Sequence, residues 1–182
     1  MTDQRLAEHE ANLARGGPSP GHRLRDVTDY EVSRRVTAPA GVATITGLIE
    51  DFRRWPAWSP WERLDQDLER TYSGPARGAG AAYAWEGDRK AGAGRMQITD
   101  QVPGRIEMAL QFTRPMRSAA SLTFHLTPTE GGTEVVWRMT GRRTLALRAL
   151  GVVGGMDRLV GPDFERGLQQ LSEAAAAEEP RA

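Results

Sequence analysis

The chain has 182 residues, 39% of them apolar and 26% charged, which is long enough for one domain with a substantial core. Its 24 basic and 24 acidic residues cancel, which argues against nucleic acid or an anionic membrane surface as the main partner. The sequence contains no cysteine, so disulfides and thiolate metal sites are excluded. Because no run of 18 apolar residues and no signal-peptide pattern occurs, a soluble cytoplasmic protein without an integral membrane segment is expected.

The N-terminal third predicts an arm, a strand and a helix. Residues 1–26 carry charges, glycines and prolines with little to bury, which is typical of a flexible arm. An ordered domain is expected over residues 27–177, followed by a disordered tail at 178–182. Tyr30, Val32 and Val36 fit a strand, and Pro39 suits the first position of a helix. One apolar face of that helix is formed by Val42, Ile45, Ile49 and Phe52.

From Leu64 to Arg142 the apolar pattern has a period of two, which is typical of strands with one buried face. The clearest alternation is RIEMALQF, at residues 105–112. Short turn signals separate the runs, so the strands are expected to form an antiparallel meander of about six strands. The turns are predicted at Ser73-Gly74-Pro75, Glu86-Gly87-Asp88, Val102-Pro103-Gly104 and Glu130-Gly131-Gly132.

Helical spacing returns near the C-terminus. A single stripe contains Met156, Val160, Phe164, Leu168, Leu171 and Ala175. Pro162 falls inside this helix and removes a hydrogen bond to Arg158, so a kink or a division into two helices is expected. A kinked helix with several glycines would act as a lid for hydrophobic cargo, whereas a tolerated irregularity would have no function.

Four stretches of the sequence resemble a known family. They are DFRRWPAWSPWE (51–62), YSGPARGAGAAYAWEGDRKAGAGRMQIT (72–99), GTEVVWRMTG (132–141) and MDRLVGPDFERGLQQL (156–171). With the strands between them, the chain from about Thr28 to Ser172 resembles the START-like, SRPBCC superfamily, and within it the polyketide cyclase/dehydrase and lipid transport family. The resemblance implies an α+β helix-grip fold, in which a curved antiparallel sheet of about seven strands wraps around a long C-terminal helix. It also implies a deep apolar cavity for lipids, sterols or polyketides.

The segment WPAWSPWE places three tryptophans between two prolines. Two readings stay open, because aromatic side chains at the end of a cavity either close the core or contact a flat apolar ligand. With the inward-facing strand residues and the C-terminal helix, the candidate ligand-binding set is Trp55, Trp58, Trp61, Tyr83, Trp85, Met96, Asp100, Met108, Phe112, Phe124, Trp137, Met139 and Phe164.

Polar candidates for chemistry are few. Asp100 continues the strand face of Met96 and is expected at the cavity rim, and Tyr83 offers a hydroxyl group. His125 has the opposite strand phase and is expected in solvent. The remaining histidines, His9 and His22, lie in the predicted arm. No catalytic residue, metal site or cofactor is therefore assigned from the sequence.

Three functions remain open. The first is binding of a small hydrophobic ligand, lipid or polyketide-like, between the sheet and the C-terminal helix. The second is a cyclase or dehydratase type of enzyme, and whether the chain is an enzyme stays open. The third is a protein-interaction module without a ligand, with its tryptophans exposed. The oligomeric state is expected to be a monomer or a homodimer.

Overall fold

The computed structural model describes residues 30–142 and 155–179. The predicted arm at residues 1–26, which includes His9 and His22, and the last three residues of the predicted tail lie outside this range. The elements in chain order are β1 (Tyr30–Ala38), α1 (Val42–Glu50), two short 3₁₀-helices (Phe52–Ala57 and Pro60–Arg63), β2 (Glu69–Ser73), β3 (Ala82–Glu86), β4 (Ala93–Val102), β5 (Arg105–Arg114), β6 (Ser118–Thr129), β7 (Gly132–Gly141) and α2 (Gly155–Glu178).

The strands form one antiparallel sheet in the order β1-β7-β6-β5-β4-β3-β2. Strands β2 to β7 are the predicted meander, since each pairs with the next along the chain. The first strand instead pairs with the last, from Tyr30 opposite Gly141 to Ala38 opposite Thr133. This seven-stranded sheet and the long helix α2 confirm the predicted α+β helix-grip fold. The turn between β5 and β6, which includes a cis Arg114–Pro115 peptide bond, was not among the predicted turns.

Helix α1 begins at Val42, so the prediction that Pro39 opens it is wrong. Gly41 precedes the first turn in extended conformation and has no side chain to cap it. The cap comes instead from Glu179, whose Oε1 accepts hydrogen bonds from the Gly41 amide and the Thr44 hydroxyl, each at 2.8 Å. These two hydrogen bonds hold the pKa of Glu179 below its usual value. Glu179, the residue just after α2, therefore caps the first turn of α1 in place of a local side chain.

Helix α2 runs without interruption through Pro162, so the predicted division into two helices is not found. Pro162 and Arg158 are exposed, and water is available to the Arg158 carbonyl that the proline leaves without its helical donor. The helix packs against β1. There Arg34 pairs with Asp157 at 2.7 Å and with Glu165 at 2.6 Å, so one guanidinium group spans two turns of α2.

The core lies between the inner face of the sheet and the two α-helices. The predicted alternation holds in β5, where Ile106, Met108 and Leu110 are buried. It also holds in β6, where Leu122, Phe124 and Leu126 are buried and His125 between them is exposed. The predicted solvent position of His125 is therefore confirmed.

Candidate ligand-binding cavity

A cavity of about 420 Å³ lies between the sheet and α2. Its wall is predominantly apolar, and it takes residues from the tryptophan-rich segment, from β3 to β7 and from the first turns of α2. The residues of the wall are Tyr30, Trp55, Ser59, Trp61, Glu62, Leu64, Leu68, Tyr83, Trp85, Lys90, Ala91, Met96, Leu110, Phe112, Pro115, Met116, Ser118, Ala120, Leu122, Trp137, Met139, Met156, Leu159, Val160, Asp163 and Phe164.

Most of the candidate ligand-binding residues meet at this wall. Strand alternation placed those from β3, β4, β5 and β7 on the inner face, and no residue of α1 belongs to the cavity wall. The candidates that line the cavity are Trp55, Trp61, Tyr83, Trp85, Met96, Phe112, Trp137, Met139 and Phe164.

Three of the candidates are buried elsewhere in the core. Met108 and Phe124 face inward as predicted, at 1% and 0% exposure, but they do not line the cavity. Trp58 is also fully buried and lies away from the wall. It packs edge-on against Phe124 and Trp137, at ring-centroid distances of 6.3 and 5.7 Å.

Asp100 does not face the cavity, and its predicted orientation is wrong. The register of β4 against β5 shifts between Ile98 and Asp100, so that Ile98 pairs with Met108 while Asp100 pairs with Glu107. Such a bulge adds one residue and reverses the direction of every later side chain in the strand. Asp100 consequently lies on the outer face, where its Oδ2 accepts a hydrogen bond from Arg105 at 2.9 Å.

The first two tryptophans of the WPAWSPWE segment cap the end of α1. Carbonyl groups in the last turn of a helix have no partner within that helix. The indole N–H of Trp58 donates to the Leu48 carbonyl and that of Trp55 to the Ile49 carbonyl, both at 3.0 Å. The two indole rings lie 4.7 Å apart and are both buried. The two indole groups are therefore buried because they pair with carbonyl groups at the end of α1 that would otherwise lie unpaired in the core.

The third tryptophan of the segment has a different position. Trp61 is only partly buried and lines the cavity. Its ring meets Trp137 and Phe164 edge-on, at centroid distances of 5.5 and 5.9 Å. Trp137 and Phe164 in turn stack at 4.1 Å and 13°. The segment thus closes the core through Trp58, lines the cavity through Trp61 and does both through Trp55.

A buried carboxylate that the sequence analysis missed lies in the cavity wall. The side chain of Glu62 is 5% exposed. Its Oε1 accepts a hydrogen bond from the Tyr83 hydroxyl at 2.7 Å, and its Oε2 accepts one from Arg70 Nε at 2.8 Å. Arg70 also donates to the Glu62 and Leu68 carbonyls, at 3.0 and 2.9 Å. Arg70 is not part of the cavity wall, so it pairs with the Glu62 carboxylate from the side away from the cavity.

The proton of the Tyr83 hydroxyl is firmly held. Burial, followed by the hydrogen bond to Glu62, raises the pKa of Tyr83 far above its usual value. The hydrogen bond to Glu62 raises the pKa of Arg70 in the same way. At neutral pH Tyr83 is therefore a neutral phenol and Arg70 a guanidinium ion, and the carboxyl group of Glu62, which is hydrogen-bonded to both, belongs to the cavity wall.

Sequence patterning had no means of finding Glu62. The residue lies in the 3₁₀-helix Pro60–Arg63, where neither the period of a strand nor that of an α-helix applies. The closest indication in the sequence is that Arg70 and Tyr83, the two side chains that bond to Glu62, belong to neighbouring strands. When β2 pairs with β3, Arg70 lies opposite Trp85 and Tyr72 lies opposite Tyr83. That pairing becomes visible only when the register of β2 and β3 is known.

The cavity wall also includes a buried donor. Trp137 is fully buried, and its Nε1 has no hydrogen-bond acceptor among the residues that the structure describes. Most buried polar groups in proteins are paired, and an unpaired indole N–H costs about 1–3 kcal/mol.

The mouth of the cavity is apolar. Within residues 30–142 and 155–179 the large apolar side chains that are exposed are Leu64, Val102, Phe112, Met116 and Leu159, and all but Val102 belong to the cavity wall. The four wall residues come from the segment after the second 3₁₀-helix, from β5, from the β5–β6 turn and from α2. Lys90 is exposed in the same wall and is the one lysine of the chain.

Within the described part of the chain, no three His, Cys, Asp or Glu side chains lie close enough together to hold a metal ion. No helix in the same residues has both the length and the apolar character that crossing a membrane requires.

The sequence over residues 29–176 matches the family model described as polyketide cyclase/dehydrase and lipid transport. Because this match covers most of the chain, the protein belongs to that family, as the resemblance of its motifs indicated. No curated protein matches the sequence.

Solved structures share the fold at low sequence identity. The protein TTHA0849 from Thermus thermophilus is 18% identical with a TM-score of 0.58, over 83% of this chain and 100% of the other. An uncharacterized protein from Rhizobium leguminosarum is 16% identical with a TM-score of 0.58, over 82% and 95%. Ms6760 from Mycobacterium smegmatis is 18% identical with a TM-score of 0.54, over 82% and 92%. These likenesses support the fold and carry no information about the ligand.

Proposed function

We propose that this protein binds a small hydrophobic molecule in the cavity between the sheet and α2. The observation that carries the proposal is the cavity itself, about 420 Å³ in volume and walled mainly by aromatic and aliphatic side chains. Cavities of a few hundred Å³ with a few convergent polar groups are typical of small-molecule sites. The family to which the chain belongs, described as polyketide cyclase/dehydrase and lipid transport, includes this kind of function.

Two features favour ligand binding over a protein-interaction module. An interaction module would have a filled interior and exposed tryptophans, whereas Trp55, Trp58 and Trp137 are at most 1% exposed. The exposed apolar side chains instead converge on the cavity mouth, where a hydrophobic molecule would enter. Transfer of such a molecule from water releases about 25 cal/mol for each Å² of apolar surface that becomes buried.

Native mass spectrometry of the freshly purified protein, followed by organic extraction, tests the proposal directly. A co-purifying lipid, phenol or polyketide-like compound is the expected result. A second test uses Nile red, a neutral apolar dye, with the variants Ala120→Phe and Ala119→Phe. Ala120 lines the cavity, and its neighbour Ala119 is exposed outside the cavity wall.

Ala120→Phe is expected to weaken dye binding at least tenfold, because the added ring occupies cavity volume. Ala119→Phe receives the same side chain outside the cavity and should bind the dye like the wild type. The proposal is refuted if no compound is extracted from the wild-type protein and Nile red does not bind to it.

The buried carboxylate favours a second candidate, a reaction of the cyclase or dehydratase type. Glu62 would act as a general base and take a proton from a carbon atom next to a carbonyl group of the bound molecule, and the electron pair of the broken C–H bond would pass to the carbonyl oxygen as an enolate. Returning the extracted compound to the protein in D₂O tests this candidate, because deuterium should enter the compound faster with the wild type than with Glu62→Gln. Equal exchange with both proteins and with buffer alone would exclude it.

A further inference from the structure

The polar part of the cavity wall restricts the chemistry of the ligand, provided that the cavity binds a hydrophobic molecule as proposed above. Glu62 is the charged side chain of the wall that is nearly inaccessible to solvent, at 5% exposure. The other charged wall residues are at the surface, since Lys90 is exposed and the Asp163 side chain is 33% exposed. A ligand that fills the buried end of the cavity therefore meets a carboxylate.

This carboxylate has unused capacity as an acceptor. A carboxylate offers about four acceptor positions on its two oxygens. Among the described residues the Tyr83 hydroxyl and Arg70 Nε each occupy one of them. A buried carboxylate gains most from further donors, because hydrogen bonds to a charged group are roughly twice as strong as neutral ones. About two acceptor positions thus stay available to a ligand.

The guanidinium group behind the carboxylate does not make this an anion site. Arg70 is outside the wall, and three of its N–H groups are directed at Glu62 Oε2, the Glu62 carbonyl and the Leu68 carbonyl. Its charge is matched by Glu62 at 2.8 Å. A fatty-acid carboxylate or a phosphate at the buried end would instead be placed against another negative charge, which costs free energy in a site with little water.

From this arrangement we infer that Glu62 is a recognition site for a hydroxyl group, and that the ligand class is a neutral hydrophobic phenol or alcohol. The ligand hydroxyl donates to a free acceptor position of Glu62. Tyr83 keeps its own proton and occupies Oε1, so the carboxylate stays oriented by two protein donors. An additional oxygen on the ligand, such as a carbonyl or an ether, suits the unpaired Nε1 of Trp137.

Three pyrene derivatives with one shape and different chemistry test the inference. The dissociation constants of 1-hydroxypyrene, pyrene and pyrene-1-carboxylate are measured by fluorescence titration with the wild type, Glu62→Gln and Tyr83→Phe. The quantity compared is the ratio of the pyrene constant to the 1-hydroxypyrene constant within each protein. A general loss of stability affects both ligands alike and cancels in this ratio.

The wild type is expected to prefer 1-hydroxypyrene about tenfold, which is the effect of one hydrogen bond to a charged acceptor. Glu62→Gln should reduce the preference to about threefold or less, since the remaining acceptor is neutral. Tyr83→Phe should retain or increase the preference, because it frees another position on Oε1. Pyrene-1-carboxylate should bind the wild type no better than pyrene.

The outcomes separate this inference from the proposed function. If pyrene binds the wild type and 1-hydroxypyrene binds no better, hydrophobic binding stands and the hydroxyl site is refuted. If the preference is lost in Tyr83→Phe and kept in Glu62→Gln, the phenol of Tyr83 and not the carboxylate recognises the hydroxyl. Tightest binding of the carboxylate would refute the neutral ligand class. If none of the three compounds binds, the inference fails, and the proposed function fails with it only if Nile red and the extracted compounds also do not bind.

Discussion

Replacing Trp58 by phenylalanine separates the structural tryptophans of the WPAWSPWE segment from the one that only lines the cavity. The substitution keeps an aromatic ring and removes the N–H that donates to the Leu48 carbonyl at 3.0 Å. It also leaves a small void, because Trp58 is completely buried. Trp61→Phe is the matched control, since it makes the same chemical change three residues later in a partly buried position.

The size of the effect follows from these two losses. An unpaired buried carbonyl costs about 1–3 kcal/mol. A void of roughly methyl size adds about 1 kcal/mol. Trp58→Phe should therefore reduce the free energy of unfolding by about 2–4 kcal/mol, which lowers Tm by roughly 4–16 °C in a chain of this length. Trp61→Phe should cost less than about 1.5 kcal/mol, because the Trp61 indole donates no hydrogen bond to the residues that the structure describes.

Urea denaturation followed by circular dichroism measures stability, and Nile red titration measures binding. Trp58→Phe should retain the dissociation constant of the dye within about twofold, which is a change of less than ~0.5 kcal/mol. Trp61→Phe should weaken dye binding several-fold while it unfolds nearly like the wild type. Trp58 does not cap α1 if Trp58→Phe is as stable as the wild type, or if the two variants exchange their effects.

Three further changes test other parts of the structure. Gly94→Ala should destabilise the protein in thermal denaturation, because a Cβ atom there would lie 2.6 Å from the Trp85 ring and 2.5 Å from a backbone oxygen; an unchanged Tm would contradict this packing. The pKa of Glu179 is lowered in the folded state, so its contribution is present above the unfolded pKa and is lost as pH falls through the folded pKa. Glu179→Gln should thus lower stability at neutral pH and make the loss on acidification shallower, whereas parallel stability–pH curves would contradict the capping of Gly41. Trp137→Ala should cost about 3–5 kcal/mol and weaken dye binding as well, and a variant of wild-type stability would show that the aromatic stack contributes little.

His125→Ala serves as the common control for these variants. His125 is exposed on β6, with its side chain on the outer face of the sheet. Stability and dye binding should both stay within the error of the wild-type measurement. A large loss of binding in this variant would mean that the register of β6 is wrong.

The strands and their inward faces were predictable from the sequence because a half-buried strand imposes a period of two on its side chains. The prediction failed in β4, where the bulge before Asp100 reverses the phase of the strand. A bulge is a property of two paired strands, and the sequence of one strand does not record it. The alternation that placed Met96 and Ile98 on the inner face is correct, because both residues precede the bulge. Its continuation to Asp100 is wrong, because Asp100 follows the bulge.

The candidate site was less predictable than the fold. The tryptophan segment has no period, and its prolines indicated only that it is irregular. Whether an indole caps a helix or lines a cavity depends on where that helix ends in space. Glu62 was missed because its burial depends on Arg70 and Tyr83, which meet it only after β2 and β3 have paired. Carboxylates are ordinarily at the surface, so composition gave no reason to select this one.

The capping of α1 from outside has a consequence for the order of folding. Isolated helices shorter than about 12–15 residues are marginal in water, and α1 has 9 residues. Its last carbonyls are capped by a segment that follows directly, but its first amide is capped by Glu179, 138 residues later in the chain. We therefore expect α1 to become stable late in folding, when α2 reaches the sheet, so that the cavity is completed in the same cooperative step as the domain itself.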